Sequence, residues 1–434
     1  MRGDSNERLT ILSDAEKTAL YGIPSFDDFQ RIEFFAMTEA ERSLALQRRG
    51  ILKQVYCMLQ IGYFKAKQAF FQFSLDDVPP EDVTFLMQRY FPGETLVVKP
   101  MSTKEYYAQR QEISALFEYR LWTANDLPVL RDKAKLLART DVTPTFLLAE
   151  LMVFLIGQHI VRPGYSTLQT IIRDALSAER DRLEQLVEAA ITDEARETLE
   201  LLLTNESTLS ELAALKQDAK SFRYRQMGLE RQKRLTLKPL YAIAKKLLPH
   251  LDVSQCNIAY YASLANFYTV YDLRRFKPAK TNLYLLCYAW QRYRQLTDNV
   301  VEAFGYQTRQ LEDETKAVAT QQAAKLHNDR QRATPRVGEL LLLYVDDALP
   351  DITPFGEVRH KAFQIMPENT LRSTGKLLTE TPVSQMDLRW LAVDKQSGLC
   401  TKNLRPLATA LDFASSSASG KVWLAALQWM NEVF

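Results

Sequence analysis

Between His159 and Asp174, in HIVRPGYSTLQTIIRD, two sets of residues share one helical period. Leu168, Ile171, Ile172, Ala175 and Leu176 recur at i, i+3, i+4, i+7 and i+8, the spacing of a buried face. The other face carries Ser166, Thr167, Gln169, Thr170 and Arg173, with Arg162 and Tyr165 in the turn before it. Glutamine can pair with adenine, arginine with guanine or phosphate, and hydroxyls with either strand of a duplex. The preceding TPTFLLAELMVFLIGQHI predicts a helix opening at Pro144, VRPGY a tight turn, and Ser166 the N-cap of a second helix. Helix, glycine-containing turn and helix form the helix-turn-helix arrangement, whose second helix sends its N-terminal residues into the major groove. Any helical hairpin with a solvated face carries the same pattern, so the residues alone leave both readings open.

Electrostatics adds a second candidate. From Lys220 to Lys246 the chain holds nine basic residues against one acid, Glu230. They include Arg223, Arg225, Arg231, Lys233, Arg234 and Lys238, interleaved with Phe222, Tyr224 and Tyr241. Clustered cations gain affinity for phosphate by counterion release, and a salt-bridged solvent face would hold more acids than this. A third group is Arg48, Arg49, Lys53, Lys65 and Lys67. The first two stand at a helix end, where cations also suit the helix dipole. A fourth mixes bases with Tyr284, Tyr288, Trp290 and Tyr293, whose helical spacing reads as core or interface rather than base stacking.

Catalytic patterns are missing from the sequence. It has no phosphate-binding G-x-x-x-x-G-K-[ST], no H-E-x-x-H and no G-x-S-x-G. Asp346, Asp347 and Asp351 could suggest a divalent metal, but a solvated acidic loop is the better reading. Four cysteines lie far apart and there are only four histidines, which fits neither a disulfide framework nor a zinc site. The formal charge of +2 does not by itself announce a polyanionic partner, so a nucleic-acid surface must arise from local segregation of charge. The opening MRGDSNERLT lacks a signal-peptide core, and the longest apolar run, Phe146 to Ile156, is too short to span a bilayer. A cytoplasmic location with no membrane partner is expected.

The elements that must position these residues are helical. Capping boxes are expected at Ser13/Glu16, Thr38/Glu41 and Ser102/Glu105, with Gly22 ending the first helix. Pro79-Pro80 should open a helix running to about Tyr90. Only TLVVK (Thr95–Lys99) and LLLYV (Leu341–Val345) could be strands, and HNDRQRATPRVGE and FASSSASGK read as loops. The fold class is therefore mainly α and multi-domain. A first domain is placed at residues 1–137, a second at 138–235, and a helical linker and dimerisation region at 236–434. The last helix breaks off without a C-cap, as expected of part of a longer polypeptide.

The first 60 residues carry a resemblance. Leu12-Ser-Asp-Ala-Glu16…Leu20-Tyr-Gly22-Ile23-Pro24, Phe35-Ala-Met-Thr38-Glu39-Ala-Glu41 and Arg48-Arg49…Lys53…Leu59-Gln60 resemble phrases that open the Tn-three family of replicative transposases. DVPPEDVTFL and PGYSTLQTIIRDA look like later phrases of the same family. The resemblance implies two DNA-binding domains of helix-turn-helix type that grip a terminal inverted repeat, followed by a helical region that makes a homodimer. It also implies a bacterial, nucleoid-associated protein whose magnesium-dependent catalytic carboxylates lie in a further domain. No catalytic residue or cofactor is therefore expected in this chain. Three rivals remain: a free-standing regulator of transposon ends, a helical protein scaffold without nucleic acid and, least favoured, metal-dependent phosphoryl transfer through Asp346, Asp347 and Asp351.

Overall fold

The computed structural model describes residues 9–203, 211–381 and 383–433, with side chains at all of these except 211, 224, 399, 400 and 429–433. Residues 1–8 and the Cys400 side chain, which entered the reading above, lie outside what is described. The protein is 75% helical, and its described residues contain no strand. They contain one isolated bridge, between Arg120 and Ile160. Neither strand candidate forms: Thr95–Lys99 is irregular, and Leu341–Val345 closes one helix and adds a 3-10 turn. The chain divides into two compact units, Met1–Leu212 with Ala242–Gln291, and Ala213–Tyr241 with Arg292–Phe434.

The first unit opens with α1 (Asp14–Tyr21), α2 (Asp28–Phe35) and α3 (Glu39–Leu46). The expected capping boxes of Ser13 and Thr38 are both present. Next come α4 (Ile51–Lys67), α5 (Pro80–Tyr90) and α6 (Thr103–Leu116). α4 is the axis of this half, buried at every residue from Val55 to Phe64. A helix apolar all round must be enclosed, and α2, α3, α5 and α6 enclose it. Gly62 lets α2 approach, because a Cβ there would lie 2.3 Å from the Phe35 ring. Ser102 caps α6, but its box does not close. The Glu105 carboxylate turns instead to Lys53 at 3.0 Å and Arg48 at 3.5 Å.

A second core in the same unit gathers α7 (Leu127–Thr140), α8 (Pro144–Gly157) and α9 (Tyr165–Ala190). Residue 138, where the sequence suggested a boundary, lies within α7. The unit continues with α10 (Asp193–Leu201), α11 (Glu211–Leu215), α12 (Tyr224–Leu247), α13 (Gln255–Phe267), α14 (Val270–Arg275) and α15 (Pro278–Leu342), of which α11, α12 and α15 run on into the second unit. Buried Asn257 joins α13 to the α7–α8 connection. Its amide donates to the carbonyls of Ala138 and Arg139 and accepts from Val142 N–H, at 2.9, 3.1 and 2.9 Å.

In the second unit, HNDRQRATPRVGE forms no loop: it lies inside α15, with Pro335 in the helix interior. Proline removes one backbone bond and crowds the preceding turn, a cost of ~3 kcal/mol that packing must offset. Beyond it, Leu340 and Val337 join Ala362, Met366 and Leu371 in a small core built with α16 (Phe355–Ile365) and α17 (Glu368–Thr379). Arg330, just before it, donates to the carbonyls of Leu377 and Glu380 at 3.4 and 3.2 Å. Contacts on both sides of Pro335 thus hold the helix continuous, which composition alone does not reveal.

Candidate nucleic-acid interface

The hairpin read from the sequence exists, but it turns differently. α8 ends in a left-handed residue, His159 at φ 51°, rather than at Gly164, whose φ is −60°. His159 N–H donates to Ile156 and Ile160 N–H to Leu155, which closes the helix end. The imidazole stacks on Tyr119 with ring centroids 5.1 Å apart, which holds this uncommon backbone in place. Ile160 then forms the isolated bridge with Arg120, which bonds across to His159 and Val161, and residues 161–163 have no regular structure. Gly164, not Ser166, is the N-cap of α9.

On α9, Leu168, Ile171, Ile172 and Ala175 are buried in the core with α7 and α8, as their spacing indicated. The polar positions separate into two sets. Ser166, Thr170 and Arg173 are exposed, four and three residues apart, and share the outward face. Thr170 Oγ1 returns to the Ser166 carbonyl at 2.9 Å, and Arg173 meets its neighbour Asp174 at 2.8 Å, so both keep solvent access. Thr167 is half-buried beside them.

The remaining three residues face the chain's own N-terminal segment. Tyr165 Oη accepts from Ile11 and Leu12 N–H, each at 3.3 Å, and the Gln169 amide donates to the Leu9 carbonyl at 2.5 Å. Arg162 donates to the Leu20 carbonyl at 2.6 Å and lies 5.0 Å over the Tyr21 ring. Lys67 bonds the Ala19 carbonyl. Two cations thus occupy the C-terminal end of α1, where unpaired carbonyls and the helix dipole favour positive charge. Burial holds both the Arg162 guanidinium and the Lys67 ammonium below their ordinary pKa, with Arg162 adding to the effect on Lys67. Burial of the Tyr21 phenol takes it up to about 12.

The other cations of the first group are also paired. Arg48 meets Glu112 and Glu105, Lys53 meets Glu105, and Lys65 donates to the Ala36 carbonyl at 2.8 Å and to Glu41 at 3.3 Å. Arg49 is exposed, with no polar partner among the described residues. The basic run divides similarly. Arg234 is only 3% exposed, lies 4.7 Å over the Tyr293 ring, and donates to Thr297, the Ala410 carbonyl and Asp412. Lys233 neutralises the buried Glu230 at 2.8 Å, Lys238 faces Asp412 at 3.6 Å, and Arg231 is half-buried. Arg223 and Arg225 are exposed. Tyr284, Tyr288 and Tyr293 are buried, as their spacing indicated.

The three acids of the proposed metal cluster are exposed, and Asp346 accepts from Ala348 N–H in its own turn. Among the described residues, no three His, Cys, Asp or Glu gather as metal ligands. No described helix is long and apolar enough to cross a membrane.

The model of one protein family, described as a domain of unknown function (DUF4158), matches residues 11–175. The match runs from the segment clasping α9 to Ala175, the last of the four buried stripe positions named above. No curated protein matches the chain. Sequence reasoning passed over Arg180, Tyr260 and Lys280, which line or flank a groove beside α9. Of these, Arg180 had a signal: it repeats the Arg173 position two turns on.

Proposed function

We propose that this chain binds the ends of a transposon, reading its terminal inverted repeat in double-stranded DNA through the outward face of α9. The reading is carried by one observation: Ser166, Thr170 and Arg173 stand exposed on one face of the last helix of the α7–α9 core. That is where a helix-turn-helix protein holds its base-reading side chains. The matched domain occurs in Tn-three-family transposases, which supports a transposase-related role. Arg49, Arg223 and Arg225 are free to meet phosphates. The paired cations Arg48, Lys53, Lys65, Lys67, Arg162, Lys233 and Arg234 serve the fold.

Self-association as a homodimer belongs to the same proposal. Trp390, Trp423 and Ile352 of the second unit are 66%, 73% and 92% exposed, apolar side chains that a second copy would cover. Strand cleavage is assigned to no residue here, and its magnesium-dependent carboxylates are expected in a separate domain. The chain is expected to work in the bacterial cytoplasm, at the nucleoid.

The test is fluorescence anisotropy with a duplex carrying a terminal inverted repeat beside a scrambled duplex, across a salt series. A preference that persists at physiological salt and shrinks in Thr170→Ala and Arg173→Ala supports the reading. Equal binding of both duplexes, unaffected by either substitution, rejects it.

A further inference from the structure

The outward face of α9 continues past Arg173. Ser166, Thr170, Arg173, Ser177 and Arg180 recur at intervals of four, three, four and three, so they form one line along the helix. At 1.5 Å per residue, Arg180 stands ~21 Å along the axis from Ser166, and Arg173 about half that distance. A major groove is ~12 Å wide. A helix that enters the groove by its N-terminal turns therefore carries Arg180 beyond the groove edge, to the level of the sugar-phosphate backbone.

At that level the structure has a groove of about 300 Å³, bounded by Arg173, Ser177 and Arg180 of α9, Tyr260 of α13, and Tyr284 of α15. Lys280 adjoins it, with Nζ 3.9 Å over the Phe276 ring and 5.7 Å over the Tyr284 ring. The Arg180 charge reaches Lys280, Tyr260 and Tyr284 alike, so these groups share one electrostatic neighbourhood. The carboxylates at the rim belong to α9: Asp174 beside Arg173, and Glu184 at 3.9 Å from Arg180. Glu184 acts on Lys280 as well, from beyond ion-pair distance. Half-exposed cations around an aromatic wall suit an anionic oxygen attached to a flat or apolar body.

We propose that this groove seats one phosphate of the DNA strand bordering the groove that α9 enters, with Arg180 and Lys280 as its ligands and Tyr260 against the adjoining sugar. The inference rests on the DNA-binding reading above and adds a backbone contact that sets register without reading sequence. Arg180→Gln and Lys280→Gln in the full chain test it, by anisotropy against matched and scrambled duplexes from 50 to 300 mM salt. Each substitution is expected to weaken both duplexes equally, on the order of tenfold at 100 mM salt, and to lower the salt slope by about one. Arg180→Lys should restore the slope, which separates loss of charge from loss of fold. Phosphate-ethylation interference should show one backbone position that blocks the unmodified protein and no longer affects Arg180→Gln. If the unmodified protein prefers the matched duplex while both glutamine variants keep its affinity and slope, the phosphate seat is wrong and the DNA-binding reading survives. If the unmodified protein binds no duplex, both fall.

Discussion

The N-terminal half of α9 and the basic run of α12 make opposite uses of polar residues. α12 has the stronger sequence signal, yet Lys233 and Arg234 neutralise or satisfy buried groups of the second unit. α9 has one arginine in its first three turns and leaves it exposed beside two hydroxyls. Charge counted along a chain measures what is available for pairing, and folding spends it first on the chain's own acids and carbonyls. A weakly charged face becomes the better interface when the core claims the opposite face of the same helix.

The largest effect separating the two regions should come from Lys233→Met. It leaves the fully buried Glu230 carboxylate with only the Asn299 amide as a hydrogen-bond partner among the described residues, at a cost of about 3 kcal/mol. Thermal unfolding of the second unit should shift down, while folded protein keeps its duplex affinity. A drop in affinity without a drop in stability would return Lys233 to the interface. Next is Arg173→Ala, expected to cost about 1–3 kcal/mol of preference for the matched duplex with unchanged stability. A stability loss of that size would instead make Arg173 a fold residue, like Arg234.

Smaller effects sharpen the contrast within the first unit. The Arg120 hydrogen bond, helped by the bonds from Thr123 and opposed by burial, holds the Asp126 pKa down at about 2. Because the folded value lies below the ordinary carboxylate value, the stabilisation is present above about pH 4 and is lost as pH falls toward 2. Acid unfolding of Asp126→Asn should therefore lack about 1 kcal/mol of this pH dependence, a figure reduced because Arg120 is half exposed. Gln169→Ala should cost about 1 kcal/mol of stability through the lost bond to Leu9 and leave discrimination between duplexes intact. A relaxed preference would put Gln169 back among the base-reading residues. The smallest change is expected for Arg223→Ala, which should lower the salt slope by about one or less.

Local signals read well wherever the physics is local. The boxes at Ser13 and Thr38, the proline that opens α8 and the buried stripe of α9 all depend on neighbours within a turn or two. The fates of Arg162, Tyr165 and Gln169 were illegible because their partners lie 142 to 160 residues away. Glu105 was read as the closing half of its own box, but Arg48 and Lys53 from α4 and the segment before it offered stronger partners. The continuity of α15 through Pro335 likewise depends on α16 and α17. At the candidate interface, helicity and the outward face were visible from spacing. Which outward residues stay free was decided by the segment from Leu9 to Gly22.

That clasp also imposes an order on synthesis. Leu9, Ile11 and Leu12 leave the ribosome more than 150 residues ahead of their partners Tyr165 and Gln169. At elongation rates of roughly 5–20 residues per second that segment waits roughly 10–30 s with nothing to dock on. The α4-centred core can close during that interval, whereas the face of α9 takes its final form only when the two ends of the matched domain meet.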